Sequence, residues 1–252
     1  MSENNPKSAG NQNIVQLVLM GLLIGAAFFI GFLWNKVQTM EGTAAGANTV
    51  VNGQAPNPGL PPNQDPTQAA GDVTPVSADD HVRGNRDARI ALIEYSDFDC
   101  PFCTRFHATA QQVVDEFGGD VMWVFRHFPL DTLHPNARKK AEATECVAKL
   151  GGNDAFWTFT DALMDPAGTV TVDQLGTLAS QAGVDAAAFN NCLTSGETAD
   201  AVNADFSSGQ SAGVRGTPGN ILLDTQSGET SLIPGALPFD SLKPEIDSML
   251  AN

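Results

Sequence analysis

A β-favouring run that leads into two thiols one helical turn apart admits few folds. Residues 90–107 contain Ile90, Leu92, Ile93 and Tyr95, then Cys100, Pro101, Phe102 and Cys103, with Phe106 and His107 beyond. The first four predict a strand, and Pro101 has the fixed φ and missing N–H that suit the first position of a helix. Cys100 is thereby expected at a helix N-terminus. Unpaired backbone N–H groups and the positive end of the helix dipole favour an anion there, so its pKa should fall below that of a free thiol. Cys103 is placed to resolve a mixed disulfide formed at Cys100, and the pair is the minimum apparatus for thiol–disulfide exchange.

Past the thiols, Phe106, Ala110, Val113, Val114 and Phe117 recur at helical spacing up to Gly118 and Gly119. Residues 121–125 read as a second buried strand, which completes a βαβ unit. Helices are predicted over 136–150, 154–164, 172–182, 185–193 and 198–211, with Thr171 and Gln174 as a capping box for the third. A turn at 216–219 precedes a hairpin of 221–224 and 230–233, and a helix over 239–250 closes the chain. One domain is expected, at 81–252, with a helical insertion at about 136–211.

The N-terminal third has a different character. Residues 14–34 are almost continuously apolar, and twenty such residues span roughly 30 Å as a helix. A single transmembrane anchor is expected rather than a cleaved signal peptide, whose apolar region would be about 7 to 15 residues. The polar segment 1–13, with Lys7 and the α-amino group, favours the cytoplasmic side. Residues 35–80, rich in Pro, Gly, Ala, Asn and Gln, read as a flexible, disordered linker of roughly 35 Å end to end. This arrangement puts the domain outside the cytoplasm, attached to the cell membrane. Thirteen Lys and Arg against 29 Asp and Glu give a net charge of -16, which argues against nucleic acid and anionic lipid surfaces as partners.

Three motifs in order carry a family resemblance over roughly 81–251: Cys100-Pro101-Phe102-Cys103 after a strand; Arg126 to Leu130 with His134-Pro135-Asn136-Ala137; and Val214 to Pro218 before the hairpin. The chain resembles membrane-anchored DsbA-like thiol:disulfide oxidoreductases of the thioredoxin superfamily. The resemblance implies an α/β thioredoxin fold with an inserted helical subdomain, and disulfide formation in exported proteins through Cys100 and Cys103. A reductase or isomerase of the same fold is the alternative. Thiol-containing exported proteins are the implied substrates, and an integral-membrane, quinone-linked protein is the implied reoxidising partner; no cofactor and no metal are expected. The resemblance also implies a cis Thr217-Pro218 loop facing the thiols, with Phe102, Thr217 and Pro218 in contact with substrate. Glu94, six residues before Cys100, would be a buried acid with a proton-relay role, although strand alternation equally allows it to point to solvent from an edge strand. The family often has Thr after the proline, where this chain has Gly219.

Asp97 and Asp99 flank the nucleophile, and their charges should disfavour its thiolate. Together with a Pro101-Phe102 dipeptide that lacks the histidine of the strongest oxidants, they shift the expected potential toward reducing values. Cys146 and Cys192 fall on apolar faces of two helices of the insertion, and anchored relatives have a second cysteine pair there. A structural disulfide is expected over two buried free thiols once export is accepted, contributing about 4 kcal/mol in the chain-entropy model. The competing readings are a metal site of Cys100, Cys103 and His107 completed by Cys146 or Cys192, a Cys-His hydrolase using His127 or His134, and a tethered binding or chaperone module.

Overall fold

The computed structural model describes residues 69–252; the expected segments 1–13 and 14–34, and most of the linker 35–80, lie outside the described residues. Among the described residues no helix is long and apolar enough to cross a membrane. Strand β1 (His81–Gly84) is followed by β2 (Ile90–Ser96), α1 (Pro101–Phe117) and β3 (Val121–His127). Helices α2 (Ala137–Leu163), α3 (Leu175–Gln181), α4 (Ala186–Ser195) and α5 (Ala199–Ser211) come next, and then β4 (Gly219–Asp224), β5 (Thr230–Pro234) and α6 (Phe239–Ala251). The sheet order is β1-β3-β2-β4-β5. β2 and β3 are parallel, as a βαβ unit requires, and the other neighbours are antiparallel.

β2 is the centre of this α/β arrangement, and all seven of its residues are buried because both faces of the sheet are covered. Ile90 and Leu92 pack with Trp123, Phe125 and Phe106 on one side, while Ala91, Ile93 and Tyr95 pack with Val124, Phe128 and Val214 on the other. Helix α5 crosses this second side at Gly209, where a Cβ would lie 2.7 Å from the Tyr95 ring and 2.8 Å from the Phe128 ring. Only glycine permits that approach.

Several local expectations shift for physical reasons. The two helices predicted at 136–150 and 154–164 form one element, α2, bent at Gly152, whose φ of 78° breaks the helical path. Gln174 Oε1 accepts from Thr171 N at 2.8 Å, but residues Val172–Gln174 form a 3₁₀ turn and α-helical bonding begins at Leu175. β1 was not predicted, since four residues with one buried apolar side chain leave no periodic signal; it is held by its pairing with β3.

The last part of the expected linker also differs from a free tether. Gly71 N and Asp72 N donate to Ala212 O and Ser211 O at 2.9 and 3.1 Å. Buried Arg126 donates to the carbonyls of Thr74 and Pro75 at 2.9 and 3.1 Å and pairs with Asp80 at 2.8 Å. A guanidinium inside the fold needs such acceptors, and the same segment packs Ala70, Val73 and Val76 against the second side of the sheet.

Candidate active site

The topology brings two distant segments to one end of the sheet. β2 ends at Ser96 and its chain turns into α1, so Cys100 occupies the N-cap of α1 with Pro101 beside it in the first turn. Tyr95 pairs with Gly219 at the start of β4, which sets the preceding Thr217-Pro218 against the Cys100 loop. The Thr217-Pro218 peptide is cis, and Cys100 Sγ lies 3.4 Å from Thr217 O. At Gly219 a Cβ would come within 2.5 Å of Val214 Cγ1, which accounts for glycine at this position.

Both active-site cysteines are free thiols and buried, Cys100 at 4 % exposure and Cys103 at 0 %. The Cys103 thiol hydrogen-bonded to Cys100 lowers the Cys100 pKa to about 6, against the opposing effect of burial, with help from Thr217 and the backbone N–H groups of Phe102 and Cys103. Among the described residues Thr217 Oγ1 makes no hydrogen bond, so it is available to the anionic sulfur. Burial pushes Cys103 the other way, well above an ordinary thiol, and the neighbouring Cys100 and Glu94 charges add to the rise. Phe102 is half-buried at the start of α1, with the Arg105 guanidinium 4.9 Å from its ring centroid.

Glu94 is fully buried on the central strand, which removes the solvent-facing alternative. Burial raises its pKa to about 8, although Trp123 Nε1 donates to Oε2 at 3.0 Å. Glu94 Oε1 has no partner. The site thus holds an acid that is protonated at neutral pH, close enough to Cys103 for its charge to matter. Trp123 was not singled out from sequence; the shared face of β2 and β3 is the signal that could have found it.

Asp97 and Asp99 do not face the thiol as bare charges, contrary to expectation. Asp97 accepts from Asp99 N, Leu130 N and His134 Nδ1 at 2.8, 2.7 and 2.9 Å. Asp99 pairs with buried Lys140 of α2. The segment 130–134 after β3 therefore supplies partners for Asp97, and the helical insertion supplies one for Asp99.

Cys146 of α2 and Cys192 of α4 are joined by a disulfide, with Cα atoms 5.9 Å apart. The sequence-derived metal set is not brought together: Cys146 and Cys192 bond each other, and His107 Nε2 bonds Asp161 at 2.8 Å. Neither hydrolase histidine is engaged with a thiol, because His134 bonds Asp97 and His127 Nε2 lies 2.8 Å from Glu145 Oε1. Glu145 also takes His81 Nε2 at 2.7 Å, and despite burial these two histidines hold its carboxyl well below the usual range. They tie β1, β3 and α2 together.

A family model described as thioredoxin matches residues 77–232. The structure is similar to that of Pseudomonas aeruginosa DsbA2, at 28% identity and a TM-score of 0.58, covering 70% of this chain and 97% of that one. It has the fold of Bacillus subtilis BdbD as well, at 24% identity and a TM-score of 0.63, covering 73% and 100%. Among curated proteins, the chain is 45% identical over 94 residues to "Na(+)/H(+) antiporter NhaA 1" of Mycolicibacterium vanbaalenii, which is 37% of this chain and 15% of that protein. It is 33% identical over 147 residues to a protein of the same name from Salinispora arenicola, covering 58% and 22%. The chain thus spans less than a quarter of the length of these curated relatives.

Proposed function

We propose, from the premise that this chain belongs to the thioredoxin family, that it is a DsbA-like thiol:disulfide oxidoreductase whose cellular task is to form disulfides in exported proteins. One observation carries the reading: an activated Cys100 at the N-cap of α1, beside Thr217, with a buried high-pKa partner one turn inward. The antiporter activity in the curated relatives' names is not carried over, since the match covers so little of them.

The reaction starts from the Cys100–Cys103 disulfide. A substrate thiolate attacks Cys100 Sγ, a mixed disulfide forms, and Cys103 leaves and takes up a proton, for which neutral Glu94 is the nearby donor. The second substrate thiolate then attacks the substrate sulfur of the mixed disulfide. Cys100 leaves as a thiolate, the substrate disulfide is made, and two electrons rest on the Cys100–Cys103 dithiol. A low thiolate pKa at Cys100 makes it a good leaving group and stabilises the reduced enzyme, which favours oxidation of substrate over reduction. With Asp97 and Asp99 paired, the carboxylate half of the argument for a reducing potential falls away, and the missing histidine in Pro101-Phe102 is what is left of it. Thr217 O lies beside the attacked sulfur, and Thr217, Pro218 and Phe102 are assigned to substrate contact. The remaining expectations belong to this reading too: an anchor at 14–34, a linker over the part of 35–80 that precedes the docked residues 71–80, an extracytoplasmic domain and a membrane quinone-linked protein that takes up the electrons.

Equilibration with glutathione, followed by thiol trapping, tests the direction. A potential at or above roughly −180 mV supports disulfide formation, whereas one near roughly −270 mV would make the chain a reductase. Cys100→Ser should abolish exchange and Cys103→Ser should accumulate mixed disulfides at Cys100. Alkylation of Cys103 ahead of Cys100 at mildly acidic pH would overturn the assignment of the nucleophile.

A further inference from the structure

We infer that His134 is a positioning residue for the redox pair: by donating to Asp97 from the segment that leads into the helical insertion, it holds that carboxylate away from the Cys100 thiolate. The inference rests on the oxidoreductase reading above and names a residue that sets its redox balance without touching the sulfur.

Asp97 stands three residues before the nucleophile, and its side chain is fully buried. Its carbonyl accepts from Cys100 N at 3.1 Å, so its backbone sets the position of the nucleophile's own amide. Its carboxylate takes three donors at 2.7 to 2.9 Å, two from backbone N–H groups and one from His134. Of the three, His134 is the side-chain donor and the one a substitution can remove. His134 is itself fixed, because its N–H donates to Leu130 O at 2.8 Å and its carbonyl accepts from Ala137 N, at the start of α2, at 3.1 Å. Asp99 beside Asp97 pairs with Lys140, and Asp131, in the turn that carries His134, pairs with Arg138.

A carboxylate near a thiolate raises the thiol's pKa unless its charge is taken up by donors. Hydrogen bonds do that locally, and they fix the oxygens in place. Without His134, Asp97 keeps one backbone donor on each oxygen and loses the third, so negative potential at Cys100 increases. The reduced enzyme, which carries the Cys100 thiolate, is then the form destabilised, and the disulfide is favoured. A merely structural tie between the two loops would change folding stability and leave this balance alone.

The experiment compares wild type with His134→Ala, His134→Asn and His134→Gln in the full chain, reading the glutathione equilibrium constant, the pH midpoint of Cys100 alkylation and the melting temperature. Asparagine can place an N–H where Nδ1 sits; glutamine carries its amide one methylene further. His134→Ala should shift the equilibrium about 3-fold toward the oxidised pair, which is about 14 mV at 29.6 mV per decade, and should raise the alkylation midpoint. His134→Asn should restore the wild-type values. An alanine variant with a lower melting temperature but an unchanged equilibrium constant and midpoint would overturn the inference. Where alanine prevents folding, the amide pair decides: glutamine shifted and asparagine not supports the inference, and equal values overturn it. A wild-type chain with no exchange activity would overturn the oxidoreductase reading itself and the inference with it, whereas normal wild-type exchange with unshifted variants fails the inference alone.

Discussion

Replacing Glu94 by Gln should remove a pH-dependent loss of stability that the wild-type chain carries through the neutral range. The carboxyl has a folded pKa of about 8 against 4.5 in the unfolded chain, chiefly through burial. Below 4.5 both states hold the proton and nothing is lost. Above it the unfolded chain releases its proton first, so wild-type stability falls as pH rises, until the folded acid also ionises near 8. At about 1.4 kcal/mol per unit, with the curve still bending near 4.5, the wild type should lose about 2.5 kcal/mol relative to Glu94→Gln between pH 5 and pH 7. The amide keeps an oxygen for Trp123 Nε1, so the comparison changes ionisation more than packing. The assay is urea unfolding of both chains at pH 5, 6 and 7 with Cys100 and Cys103 oxidised. Neither thiol then titrates, and every other titration is common to the two chains. The static cost of the substitution drops out, since only the change of the gap with pH is read. A gap that stays constant within about 0.5 kcal/mol over this range would show that Glu94 ionises as an ordinary acid and would refute the relay role built on it.

Two further outcomes follow from the site and its scaffold. Thr217→Val keeps the side-chain shape but removes a hydroxyl available to the thiolate; a hydrogen bond of about 1 kcal/mol corresponds to an upward move of roughly 0.7 pH unit in the Cys100 alkylation midpoint. An unmoved midpoint would assign the hydroxyl no part in activation. The Cys146–Cys192 bridge should survive a mild dithiol that reduces the active-site pair, and Cys146→Ala with Cys192→Ala should lower stability by about 3 to 4 kcal/mol in the chain-entropy model. Free alkylation of Cys146 under those conditions, or an unchanged melting temperature in the double variant, would remove its structural role.

The legible part of the site is the part that depends on near neighbours in the chain. A strand, a proline at the helix start and two cysteines one turn apart follow from propensity and spacing, so the placement of Cys100 at the N-cap of α1 could be read from residues 90–107. Gly118 and Gly183 mark helix ends for the same local reason, each having positive φ. Where a bend was involved, the sequence indicated a break at Gly151 and Gly152 but not that α2 continues beyond it.

Electrostatics was the part most poorly read, because the sign of an effect depends on partners that no local pattern supplies. From the sequence, Asp97 and Asp99 could only be counted as charges beside a thiol. Their side-chain donors, His134 before the insertion and Lys140 within it, lie more than thirty residues away, and once these are in place the carboxylates no longer govern the sulfur. Glu94 had two readings until the sheet order made β2 central and buried it. Thr217 lies 117 residues from Cys100, and only the pairing of β2 with β4 brings them together. What the sequence by itself determined was the chemistry of the thiol pair and the order of elements around it, since backbone propensity and helix-terminus fields act within a few residues. The tertiary structure alone decided how acidic each group is, because burial and long-range hydrogen bonds are properties of what packs against a residue, not of its neighbours in the chain.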